Sequence, residues 1–170
     1  MNTKLKTAAV LVLITENLCD GNLVLTRRSE KLRHHGGEIS FPGGIKEDLD
    51  QDLKETALRE TFEEINLSGN QINLIDELPE VSTSTGYSIK PYFGILKEPF
   101  EFIKNSSEVS DIIQIPILDL ISGDCNRTET LLLKNNSIVE RPMYSYKQNV
   151  IFGATSRIID NLLSRIKEYC

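Results

Sequence analysis

Cationic surplus is missing from this chain: 19 lysines and arginines stand against 25 aspartates and glutamates, a formal net charge of −6 over 170 residues. General nucleic-acid binding is excluded on that account, because nothing is left over to neutralise a run of phosphates. Cysteine is scarce as well. Cys19, Cys125 and Cys170 are odd in number and widely spaced, with no C-x-x-C pair for zinc or dithiol chemistry, which points to a reduced cytoplasmic compartment. No apolar run approaches the roughly 18 residues that a membrane helix needs. The run Ala8 to Ile14 follows two lysines, yet it lacks a small-residue cleavage site and leads into Asp20-Gly21, so it reads as a buried strand and not as a secretory signal. Repeats, low-complexity tracts and interdomain linkers are also missing. With 39% hydrophobic content the chain has enough for one core, and a single domain over residues 1–170 is expected.

What is there is ordered by period. Residues 7–15 form a Val/Leu/Ile-rich central strand, with 23–26 as its partner across Asp20-Gly21 and 38–41 as a short strand. A helix is expected from about Leu53 to Ile65, opened by Asp50 or Asp52 and closed by Asn66. Residues 71–81 read as an edge strand and Tyr87 to Leu96 as another, separated by a Ser/Thr-rich loop. Ile112 to Ile121 mixes strand with a short helix, 129–151 form hairpin strands turning at Asn135-Asn136, and a packing helix beyond Gly153 carries Ile158, Ile159, Leu162, Leu163 and Ile166 on one stripe.

The chemistry gathers between Gly37 and Leu67, where a glycine turn precedes the carboxylate-rich helix. At roughly 100° per residue, Leu58, Thr61, Phe62 and Ile65 share one face while Glu60, Glu63 and Glu64 share the opposite one. Like charges at that spacing destabilise a helix by a few tenths of a kcal/mol per pair, so a cation is expected to compensate them. Arg59, four residues before Glu63, can orient it. Hard oxygen ligands suit Mg²⁺ or Mn²⁺, which take carboxylates, waters and substrate phosphates. Gly43 and Gly44, after Pro42, let the backbone approach metal or phosphate closely. Positive charge is concentrated just upstream, at Arg27, Arg28, Lys31 and Arg33, where phosphate contact is the expected use.

Gly44 followed by Arg59-Glu60-Thr61-Phe62-Glu63-Glu64-Ile65-Asn66-Leu67 resembles the Nudix box, G-x5-E-x7-R-E-U-x-E-E-x-G-U with U apolar. It departs from that pattern in three places. The spacing from Gly44 to Arg59 is one residue longer, so Asp50 or Gln51 stands where the first glutamate belongs; Thr61 replaces an apolar residue; Asn66 replaces the glycine that would cap the helix. Upstream, Val24-Leu25-Thr26-Arg27-Arg28-Ser29, then Arg33, Gly37 and Phe41-Pro42-Gly43-Gly44, is similar to the L-L-T-x-R-[SA]-x3-R-x3-G-x3-F-P-G-G signature of coenzyme A pyrophosphatases within that superfamily, with Val24 for Leu as the one substitution.

The resemblance implies an α/β (α+β) fold, the Nudix α/β/α sandwich with a mixed sheet and a loop-helix-loop box. It implies hydrolysis of the pyrophosphate of coenzyme A to 4′-phosphopantetheine and adenosine 3′,5′-bisphosphate with Mg²⁺ or Mn²⁺ as cofactor. Glu60 and Glu64 are then the first-choice metal ligands, Glu63 a third ligand or a base, and Arg59 the residue that orients the cluster. Arg28 and Arg33 would contact the diphosphate or the 3′-phosphate, and Glu108 would serve as an extra ligand or as base for the attacking water. Other nucleoside diphosphate derivatives (NADH, ADP-ribose, dinucleoside polyphosphates) form the alternative substrate set, and a non-catalytic nucleotide sensor a third reading. No membrane partner is expected; a homodimer is possible.

Overall fold

The computed structural model describes residues 5–31, 35–133, 135–167 and 170. Along the chain come β1 (Lys6–Ile14), β2 (Asn22–Arg28), β3 (Ile39–Ser40), β4 (Gly43–Ile45), α1 (Leu53–Ile65), β5 (Ile72–Glu77), β6 (Val81–Ser82) and β7 (Tyr87–Leu96). They are followed by β8 (Val109–Pro116), α2 (Ile117–Ser122), β9 (Asn126–Leu132), β10 (Ile138–Tyr146), β11 (Asn149–Ile151) and α3 (Gly153–Ile166).

Strand β1 is the axis of the molecule. Its alternate side chains leave by opposite faces, as the pleat requires. Ala9, Leu11 and Leu13 pack with Val24, Ala57 and Ile65 beneath α1, whereas Val12 and Ile14 pack with Leu23, Leu25 and the Ile158, Ile159, Leu162, Leu163 and Ile166 stripe of α3. A strand covered on both faces has no solvent side, which is why its sequence is a continuous apolar run. Cutting Leu11, which is fully buried, back to alanine would cost about 2–5 kcal/mol.

The sheet is mixed, with the order β3-β2-β1-β7-β5, β8 against β2, β6 against β7 and β4 against β1. Strands β1 and β7 run parallel from the Lys6–Tyr87 pair to the Ile14–Ile95 pair, and the other pairings are antiparallel. Strands β9, β10 and β11 form a second, three-stranded sheet beside α3. Strands β1 and β2 stay paired only at Leu13–Val24 and Ile14–Leu23. Further along β1 the partner is β4, opposite Ala8 to Val10. The divergence of β2 from β1 therefore makes room for the two glycines of β4 at the sheet surface that α1 covers.

Helix α1 begins and ends where its cap chemistry directs. The Asp52 carboxylate accepts the Glu55 N–H at 2.8 Å, and Asn66, with φ 58°, takes the left-handed conformation and donates its N–H to the Phe62 carbonyl at 2.9 Å. Of the expected packing face, Thr61 and Ile65 are buried and Leu58 packs against the core, but Phe62 is 52% exposed, and Ala57 and Glu64 are buried instead. The helix is turned so that Glu64 points into the protein, towards the Gly43 amide and Arg28.

The cysteine reading is also corrected. Cys19 and Cys170, 151 residues apart, are joined by a disulfide with their Cα atoms 5.4 Å apart; Cys125 is a buried free thiol. The C-terminal end of the chain returns to the turn that follows β1, a proximity that spacing along the sequence does not show. Among the described residues no helix is long and apolar enough to cross a membrane.

Candidate active site

The two glycines of β4 serve different neighbours: Gly43 lets β4 lie close against β1, and Gly44 admits α1. A Cβ on Gly43 would lie 2.3 Å from the Ala9 carbonyl oxygen and 2.6 Å from Val10 Cα, and one on Gly44 would lie 2.4 Å from the carboxylate carbon of Glu60. Any side chain at Gly44 would push that carboxylate away.

The three glutamates expected on one outward face are separated by this packing. Glu64 is 2% exposed, Glu60 16% and Glu63 47% by side chain. Among the described residues Glu63 pairs with Arg59, whose Nη1 donates to it at 3.2 Å; the same nitrogen lies 3.0 Å from Glu60 Oε1. Arg59 thus spans both acids, and Asp50 sets its direction. Asp50 Oδ1 accepts Arg59 Nε at 2.9 Å and Oδ2 accepts Nη2 at 3.1 Å, the parallel fork that guanidinium and carboxylate geometry favours. The Glu47 N–H and the Thr56 hydroxyl complete the buried carboxylate at 2.8 and 2.9 Å. Arg59 holds Asp50 well below the usual carboxylate range, against the opposing effect of burial. Of the two residues that could stand for the first glutamate of the motif, Asp50 is buried and Gln51 exposed. Asp50 was not singled out as a site residue, and its sequence signal was faint because the spacing is one residue long.

On the other side of the cluster, Arg28 of β2 approaches Glu64. Its Nη1 lies 3.8 Å from Glu64 Oε1, while Arg28 Nε and Glu64 Oε2 are both buried without a hydrogen-bond partner. Burial pushes the Glu64 carboxyl up to about 8; Arg28 and the Gly43 amide oppose this only in part, and Glu60 and Glu108 add to it. Burial also raises Glu60, with Glu63 and Glu108 contributing and Arg59 opposing. Glu108 belongs to the same electrostatic group: it is half-buried just before β8, and its carbonyl oxygen accepts the Ser29 N–H at 2.7 Å. Arg33 lies outside the described residues.

Among the described residues, no three His, Cys, Asp or Glu side chains already converge as a ligand set. The donor chemistry nevertheless fits a hard divalent cation. An orphaned, buried carboxylate oxygen on Glu64 faces a group of acids that raise one another, and a cation would relieve both conditions.

A cavity of about 340 Å³ shares Arg28, Gly43 and Gly44 with this cluster, and its lining also includes Thr83, Ser84 and Thr85. Tyr87, which the sequence offers only as the start of a strand, and Phe152, for which it gives no signal, stand in its walls. His35 lies in the wall paired with Glu38 at 3.0 Å.

The glycine strand β4, the carboxylate-bearing helix α1 and the basic end of β2 thus lie together around one site. The NUDIX domain model matches residues 5–116, and the chain belongs to the Nudix family of hydrolases. It is 33% identical over 162 residues to the uncharacterized Nudix hydrolase NudL of Yersinia pestis (strain Pestoides F), an alignment that covers 94% of this chain and 79% of that protein. Two solved structures share the fold. A MutT/nudix family protein from Enterococcus faecalis superposes with a TM-score of 0.63 at 17% identity, covering 99% of this chain and 64% of that one. A binary complex of a C. elegans Ap4A hydrolase gives 0.56 at 22% identity, covering 68% and 83%.

Proposed function

We propose that this chain, acting as one domain, hydrolyses the diphosphate of coenzyme A to 4′-phosphopantetheine and adenosine 3′,5′-bisphosphate. One observation carries the site reading: on two side chains that approach to 3.8 Å, a buried acceptor of Glu64 and a buried donor of Arg28 are both without hydrogen-bond partners. The acceptor suits a cation and the donor a phosphate oxygen. The coenzyme A assignment is supported by the Leu25-Thr26-Arg27-Arg28-Ser29 stretch, which supplies that arginine, and by Phe41-Pro42-Gly43-Gly44, which supplies the opening.

Glu60 and Glu64 would hold Mg²⁺ or Mn²⁺, which when bound acidifies water and neutralises phosphate oxygens. Glu108 takes the proton of the attacking water. The water oxygen bonds to one phosphorus, the bridging P–O bond breaks, and the leaving phosphate keeps the electron pair. Arg28 meets the diphosphate, and Arg33 is assigned to the same anion on its motif position alone. Arg59, fixed by Asp50, keeps Glu60 and Glu63 oriented. Activity on NADH, ADP-ribose or dinucleoside polyphosphates is the alternative within the same chemistry. A homodimer belongs to this reading; sedimentation of the purified protein tests it.

The deciding experiment offers coenzyme A, dephospho-coenzyme A, NADH and ADP-ribose in parallel with Mg²⁺ or Mn²⁺ and identifies the phosphate products. Preference for coenzyme A, with 4′-phosphopantetheine among the products, is expected. Equal turnover of all four sinks the substrate assignment, and metal-independent silence toward all four points to a binding module.

A further inference from the structure

The cavity that shares Arg28, Gly43 and Gly44 with the site has a mixed lining: Arg28 is its cation, Val10, Ile45, Tyr87, Ile89, Phe152 and Ala154 are its apolar and aromatic walls, and the loop Thr83–Thr85 brings hydroxyls. The other charged residues in the lining, His35 and Glu38, are paired with each other. Beyond Arg28, then, the cavity offers an apolar passage and hydrogen-bonding hydroxyls but no unpaired cation among its described lining residues. Away from Arg28, an anionic group taken into it would lose water without gaining a counter-charge from the described lining residues, which disfavours such groups relative to uncharged ones. The volume, about 340 Å³, is near the lower end of the roughly 300–1,000 Å³ typical of small-molecule sites. It suits one half of a two-headed diphosphate and not the whole.

The two halves of coenzyme A differ in the property the cavity selects. The adenosine half carries a 3′-phosphate; the pantetheine half is uncharged, narrow, apolar along its branched portion and supplied with amides. We infer that the cavity receives the pantetheine half, with Phe152 and Tyr87 as its recognition walls and the Thr83–Thr85 loop as hydrogen-bonding partner for its amides, while the 3′-phosphate-bearing half stays outside. This rests on the coenzyme A reading above. Phe152 is the side chain to vary: it is 44% exposed, so it serves the cavity more than the core, and it precedes α3 without capping it through its side chain.

Calorimetric titration of the full chain with 4′-phosphopantetheine and, separately, adenosine 3′,5′-bisphosphate tests the assignment without requiring turnover. Phe152→Ala is expected to weaken the first by about tenfold, the loss of one well-packed contact worth about 1.4 kcal/mol, and to leave the second at its wild-type affinity. Ala154→Phe, which fills the cavity from the helix side, is expected to show the same selectivity; a wild-type circular dichroism spectrum establishes that each variant is folded. Weakening of the bisphosphate alone, equal weakening of both, or no binding of 4′-phosphopantetheine to the wild type would overturn the assignment. The activity reading fails separately: Phe152-dependent binding of 4′-phosphopantetheine in a protein that does not cleave coenzyme A keeps the cavity assignment and removes the reaction.

Discussion

Two arginine–carboxylate pairs flank α1, and they are built in opposite ways. Asp50 accepts four hydrogen bonds, two of them from Arg59 in a fork at 2.9 and 3.1 Å. Glu64 is as deeply buried, yet its arginine stands 3.8 Å away and each partner keeps a polar atom unsatisfied. The first pair has all the contacts its chemistry can use, so it holds the loop before α1 to the helix. The second repays little of its own desolvation and carries a cost that a substrate–metal complex would relieve. The difference separates a residue that positions from residues that bind, although both pairs are Arg with an acid on or beside the same helix.

Breaking the closed pair should give the largest change in stability. Asp50→Asn takes the bidentate carboxylate from Arg59 and leaves it Glu60 and Glu63 on one nitrogen, which should destabilise the fold by about 2 kcal/mol, read as a shift of the urea midpoint; a wild-type midpoint would mean the fork is dispensable. Breaking the open pair should instead strike the reaction. Glu64→Gln should lower the rate at least about a hundredfold, near 2.7 kcal/mol in the barrier, without lowering the thermal midpoint of the metal-free protein near neutral pH, because the amide replaces a carboxyl that already holds its proton there. A variant with wild-type turnover would take Glu64 out of the mechanism.

Acid and base should sharpen the contrast through opposite signs. The native Asp50 carboxyl lies below its ordinary value of 3.8, so its contribution is fully present above that pH and drains away as pH falls towards the depressed native value. The native Glu64 carboxyl lies above its ordinary 4.5, at about 8. Between those two values the folded, metal-free chain holds a proton that the unfolded chain has released, so stability falls as pH rises through the window. Subtracting the stability curve of Glu64→Gln from that of the wild type should isolate this slope; a flat difference would contradict the burial of Glu64. The smallest effect should come from the helix end that touches neither pair. Asn66→Ala, at φ 58°, should cost about 1 kcal/mol and Asn66→Gly much less, both measured by thermal unfolding.

Legibility from sequence followed how local the determining physics is. The ends of α1 were readable because caps are short-range chemistry, and β7 and α3 because their periods are uninterrupted. The general location of the acids was readable from the motif. Which of them faces inward was not, because the roll of α1 is decided by β4, a strand of two glycines and an isoleucine that shows no amphipathic period of its own. Phe62 looked like core for the same reason and is exposed. Asp50 was obscured by one extra residue in the loop, and the Cys19–Cys170 pairing by a separation of 151 residues. Tyr87, Phe152 and the Thr83–Thr85 loop meet only after the sheet is assembled, so no stretch of sequence contains their cavity.

That long-range bridge has a consequence for proteolysis. With Cys19 bonded to Cys170, a single cut anywhere between them, in the loop before β3 or the one before β7, severs the polypeptide without releasing a fragment. Nicked protein would run as one species without reductant and as two with it. Oxidised chains could therefore survive cleavage as a non-covalently folded, covalently tethered whole, while reduced chains would depend on packing alone to keep their pieces together.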